Sequence, residues 1–68
     1  MEITLRQAIM MRINGKDANE LYEVIQDSVR SQEQALPGLG VLFEVIWENS
    51  QEDTRQQLVS TLKEHVPQ

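Results

Sequence analysis

Hydrophobic periodicity predicts an all-α fold: a small bundle of about four short helices around a mostly apolar central helix, in a single domain spanning residues 1–68. Three observations carry that prediction. Apolar residues recur at spacings of three and four in three separate segments, each preceded by a recognisable helix start. The stretch Leu36 to Trp47, LPGLGVLFEVIW, holds the only Phe, the only Trp and the densest apolar content of the chain. Finally, 68 residues without cysteine suffice for one small core and for no disulfide framework.

The first helix starts at Thr4, which with Gln7 fits a capping box. Its narrow stripe of Leu5, Ala8, Ile9 and Ile13 ends at Asn14-Gly15, a favourable helix stop. Asp17 with Glu20 repeats the start signal. Leu21, Val24, Ile25 and Val29 then form the clearest amphipathic pattern, with Tyr22 on its flank and Glu23, Gln26, Asp27 and Arg30 outside. From Ser31 to Ala35 the period is lost, and Pro37 is expected to hold Leu36 extended, so a connection belongs here.

In the central helix Leu39, Leu42, Phe43, Ile46 and Trp47 share one face, and Val41 and Val45 widen the apolar arc to roughly 240°. Only Glu44 and Glu48 remain for water. Gly38 and Gly40 are read as residues of the entry turn or of a close backbone approach, because each costs about 1 kcal/mol against Ala inside a helix. Asn49 and Ser50 break the run, Ser50 with Asp53 opens the last helix, and Leu58, Val59, Leu62 and Val66 line it up to Pro67. Phe43 and Trp47 are the expected core. Three modest stripes either close over the central helix or leave an apolar patch near Trp47, Val41 or Val45 for a homodimer, and the pattern leaves both open.

Six basic against eleven acidic residues give a net charge of −5, which disfavours nucleic acid and anionic membranes as partners. Only Arg6, Arg12 and Lys16 form a locally basic start. With no positively charged leader before an apolar stretch, and no run near the ~20 residues of a membrane span, a cytoplasmic-type compartment without membrane contact is expected.

No catalytic, cofactor or metal constellation is found. Glu44 and Glu48 lie one turn apart but read as a solvated stripe, and His65 reads as a partner of the helix dipole in the last turn. Ser28, Ser31, Ser50 and Ser60 lack a nucleophile-elbow context, and Gly38-x-Gly40 is too short for a phosphate loop. Asp53 and Glu52 lack the ligand alternation of a calcium loop, while Trp47, Phe43 and Tyr22 read as core rather than as a ligand pocket.

The segment LPGLGVLFEVIWENS, Leu36 to Ser50, resembles the signature region of the I-type small, acid-soluble spore proteins of endospore-forming bacteria. Leu5, Arg6, Ala8 and Ile9 fit the family's N-terminal pattern, followed by Gly15 ahead of an acidic amphipathic helix. An Asn often stands in the family where this chain has Arg12, and the final segment varies. The resemblance implies a protein of the forespore and mature spore core, with no catalytic or binding residue to carry over. It does not imply DNA coating: the chain is acidic and lacks the basic patch and protease-recognition segment of the abundant DNA-coating spore proteins. A non-enzymatic structural or interaction role follows, with a second copy or another spore-core protein as partner. The alternative is a DNA-associated protein using Arg6, Arg12 and Lys16 on phosphates. A third class, an enzyme, would need a polar pocket around Glu44, Glu48 or His65.

Overall fold

The computed structural model describes residues 2–67, and the described residues form helices and turns without any strand. Helix α1 runs Leu5–Ile13, α2 Ala18–Ser28, α3 Leu36–Glu48 and α4 Glu52–His65, with one turn of 3₁₀ helix at Glu33–Ala35 leading into α3. Both expected capping boxes form. The Gln7 amide donates to Thr4 Oγ1 at 3.1 Å while the Thr4 amide donates to Gln7 Oε1 at 2.9 Å. At α2 the Glu20 amide donates to Asp17 Oδ1 at 2.9 Å and the Asp17 amide to Glu20 Oε1 at 3.3 Å. Each box satisfies amides that the first helical turn leaves without partners.

The two turns that end α1 and α2 share one geometry. After α1, Asn14 sits at φ −58°, ψ 131°, Gly15 has φ +82°, and the Lys16 amide donates to the Ile13 carbonyl. After α2, Val29 sits at φ −69°, ψ 126°, Arg30 has φ +58°, and the Ser31 amide donates to the Ser28 carbonyl. Both are type II turns, whose third position demands positive φ. Glycine meets that demand in the first turn, whereas Arg30 meets it in the second against the clash between its Cβ and the carbonyl oxygen.

Around α3 the structure departs from the sequence expectations. Leu36 is helical, at φ −62° and ψ −44°, rather than extended, and Pro37 lies in the first turn of α3, where its missing amide hydrogen costs no hydrogen bond. Gly38 and Gly40 are therefore inside the helix and not in a turn. The close approach expected of them holds for one: a Cβ on Gly38 would lie 3.1 Å from Ile9 Cδ1, so its bare backbone lets α1 settle onto α3, while Gly40 faces open space. Ser50 is not the cap of α4. Gln51 takes that place without a side-chain bond, and the Ser50 hydroxyl donates backwards to the Ile46 carbonyl.

Packing divides α3 into two faces. Val41 (8% exposed) and Leu42 (9%) are its buried residues, on the side covered by α1, α2 and the 3₁₀ turn. The aromatic side expected to be core lies open, with Phe43 50% exposed and Trp47 only half-buried, and Tyr22 on α2 is 69% exposed. The reason is geometric. Phe43 lies roughly 140° or more around the helix from Gly38 and Val41, so when α1 docks at the Gly38 notch it covers the opposite side. Helix α4 completes no wrap; it packs most sparsely of the four and leaves the end of α3 beside the aromatic face.

Burial rather than residue size therefore ranks the core. Leu42→Ala is expected to cost about 2–5 kcal/mol, whereas Phe43→Ala costs about 1 kcal/mol in dilute solution; chemical denaturation of both variants measures the difference. Arg30→Gly removes the positive-φ penalty and should raise stability by about 0.5–1 kcal/mol after the added chain entropy of glycine is counted. A denaturation midpoint at or below that of the parent would contradict the turn assignment.

Candidate interaction surface

The largest concavity lies between α3 and α4. It is an open groove of roughly 890 Å³ whose walls are Phe43 and Trp47 on α3 and Leu58, Val59 and Leu62 on α4. Gly40 forms part of its floor, and Glu44 and Thr61 stand at its edge. Spacing explains the walls. Phe43 and Trp47 are four residues apart and stack at 5.8 Å between ring centroids with planes inclined by 35°, while Leu58 and Leu62 repeat the same interval on α4. Such a lining offers apolar contact and little else.

The angle of α4 against α3 is set by the end of α3. A helix leaves its last four carbonyls without amide partners. Here each has a side-chain donor: Asn49 Nδ2 reaches Val45 O at 2.8 Å, the Ser50 hydroxyl reaches Ile46 O, Arg55 Nε reaches Trp47 O at 2.9 Å and an Arg55 terminal nitrogen reaches Glu48 O at 3.4 Å. Arg55 belongs to α4. Its guanidinium also lies 5.6 Å from the Trp47 ring centroid, and it is 3.9 Å from Glu52. One arginine thus neutralises the negative end of α3, covers the indole and holds the two helices at their joint. Sequence reasoning passed over Arg55, although a cation shortly after a helix end was the available signal.

A second arginine ties α1 to the Glu44 that stands at the groove edge, a pairing that sequence reasoning did not foresee. Arg6 on α1 grips Glu44 on α3 with two hydrogen bonds, Nε to Oε1 at 2.6 Å and a terminal nitrogen to Oε2 at 2.8 Å. Glu44 is thus a tether rather than part of a merely solvated stripe. The Arg6 hydrogen bond holds the Glu44 carboxyl below the usual carboxylate range against a smaller desolvation effect, and the same bond raises the Arg6 guanidinium further.

The residues expected at functional surfaces are dispersed. Val41 is buried and Val45 half-buried, so of the three expected at a self-association patch only Trp47 borders the open groove. Arg6 is paired with Glu44, and Arg12 lies about 120° from it around α1, at a cavity of mixed lining that also holds Asp27 and Gln34. Lys16 is half-buried in the turn. His65 Nδ1 pairs with the Thr61 carbonyl at 2.8 Å, and the groove contains Glu44 but neither Glu48 nor His65. Among the described residues no group of three His, Cys, Asp or Glu stands ready for a metal ion, and no helix is long and apolar enough to cross a membrane.

With this geometry in view, comparison with known proteins extends the resemblance over most of the chain. The sequence profile of the family described as small, acid-soluble spore protein I matches residues 3–66. The chain is 42% identical over 65 residues to small, acid-soluble spore protein I of Bacillus mycoides strain KBAB4, covering 94% of each chain. It has the same identity and coverage to the proteins of that name from Bacillus cereus strain G9842 and Bacillus anthracis strain A0248. No solved structure matches it.

Because the folded-state Glu44 carboxyl titrates below its unfolded value, the contribution of the Arg6 tether is complete above the ordinary carboxylate range, near pH 4.3, and disappears as pH falls through the depressed value. Thermal melts of the parent and of Glu44→Gln should therefore differ at neutral pH, with the parent higher, and converge in acid. An equal gap at both pH values would remove Glu44 from the joint.

Proposed function

This chain belongs to the small, acid-soluble spore protein I family, and we propose that in the spore it acts by protein contact, as a non-enzymatic structural or interaction protein of the spore core. The observation that carries this reading is the α3–α4 groove. Its apolar walls are solvent-accessible, and Arg55 of α4 bonds the last carbonyls of α3 at the joint where the two helices meet. A contiguous apolar concavity open to solvent is suited to protein contact. The groove-edge carboxylate is tied to Arg6, which leaves no free acid–base pair there and suits contact rather than proton transfer.

Contact with DNA through Arg6, Arg12 and Lys16 has no observation in its favour. Arg6 is already paired with a carboxylate, the other two face elsewhere, and the chain carries a net charge of −5.

The test is photo-cross-linking inside spores, with a benzophenone side chain placed at Val59 in a strain producing the full chain. Protein adducts are expected in the core fraction, and Leu62→Glu in the same chain should abolish them. Absence of protein adducts from the parent, or adducts indifferent to Leu62→Glu, would overturn the reading, and recovery of the chain in the coat fraction would overturn the placement in the core.

A further inference from the structure

Resting on that reading, we propose that the occupant of the groove is a second copy of this chain. The two copies dock antiparallel about a two-fold axis passing α4 between Gln57 and Leu58. A compact monomer of 7.9 kDa presents about 4,400 Å² of accessible surface, whereas this chain presents 6281 Å², an excess of roughly 1,900 Å². Its radius of gyration is 13.5 Å against about 11 Å for a compact chain of its length. An ordinary stable pair removes about 800 Å² from each partner, less than this excess, which is spread over the whole chain and includes Phe43, Val59 and Leu62 at the groove.

The chain also needs what a second copy would supply. Val41 and Leu42 are the buried hydrophobic residues of the described structure, and the sequence has no cysteine for a disulfide. Domains of this size with so small a core gain their stability from staples, metals or association.

Three features of the surface fit a copy of itself. It holds a groove and a ridge together: Leu62, 64% exposed, and Val59 rise beside the cleft that an identical pair would fill, as an isologous interface requires. Helices α3 and α4, of 13 and 14 residues, are matched in length at about 20 Å, so two such pairs assemble into a four-helix arrangement. The charges are self-complementary as well. Glu52 and Lys63 lie three turns apart on α4 and only about 20° apart around it, on one flank of the apolar stripe. Two-fold antiparallel docking brings like flanks together, so Glu52 of each copy meets Lys63 of the other. Asp53 and Glu64 lie on the far side of the helix, and Glu44, the acid at the groove edge, is neutralised by Arg6.

The experiment is solution mass by sedimentation equilibrium across a dilution series of the full chain, with fluorescence of the only tryptophan recorded alongside. Twice the 7.9 kDa chain mass is expected, with a red shift of Trp47 on dissociation. Leu62→Glu should shift the mass to that of one chain. Glu52→Lys and Lys63→Glu should each weaken the pair about tenfold, and the double exchange should restore it, because it re-forms both contacts with signs reversed. A single-chain mass at every concentration would overturn the proposal, as would a dimer whose dissociation constant the charge exchange fails to restore. A single-chain mass together with Leu62-dependent adducts to a different spore protein would overturn self-pairing alone and leave the interaction reading standing.

Discussion

Helix α3 has more apolar circumference than the rest of the chain can cover, and most of the structure follows from that imbalance. Its polar side chains are Glu44 and Glu48 only, yet just one of its faces receives enough packing to be buried. Helices α1 and α2 close over the side containing Gly38, Val41 and Leu42, since the missing Cβ at Gly38 lets Ile9 come close. Once that side is chosen, the aromatic side has α4 alone for company. A single helix covers a groove's flank but not its opening, so Phe43 and Trp47 stay accessible to solvent.

Two arginines turn this leftover surface into a defined one. Arg6 fastens α1 to Glu44 at the boundary between the two faces, and Arg55 collects the last carbonyls of α3 from its place on α4. The seating of α1 on α3 and the joint between α3 and α4 are thereby both specified by charge-assisted bonds. An exposed apolar patch without such tethers would relax by sliding its helices together. Here Arg55 holds the Trp47 and Glu48 carbonyls at the α3–α4 joint, and the groove between the two helices lies open.

The electrostatics agree with a contact role in the spore. The net charge of −5 is spread over the helix exteriors, while the groove itself is lined almost entirely by apolar side chains. Apolar side chains are exposed elsewhere too, at Met11, Tyr22 and Leu36 among others, but the groove gathers them into one concavity. Of its N-terminal cations, Arg6 pairs with Glu44, Arg12 lines the cavity beside α2, and Lys16 is half-buried in the turn.

Much of the fold was legible in the residues themselves because its signals are local. Thr4 with Gln7 and Asp17 with Glu20 close capping boxes within one turn, Asn14-Gly15 supplies the positive φ of a tight turn, and the LPGLGVLFEVIWENS segment marks the family. Helix count, helix type and kinship needed no information beyond neighbouring positions. Which face of α3 becomes core was a different matter, because periodicity places Phe43 and Val41 on a wheel without saying where α1 will dock. The roles of Arg6 and Arg55 were equally hidden: Arg6 meets a carboxylate 38 residues away, and Arg55 caps carbonyls of the preceding helix. The sequence by itself therefore determined the helices and the family, through interactions spanning a few residues. Only the tertiary structure decided which apolar face is buried and which stays exposed, because that choice depends on the close fit of α1 at Gly38 and on the ion pair between Arg6 and the distant Glu44.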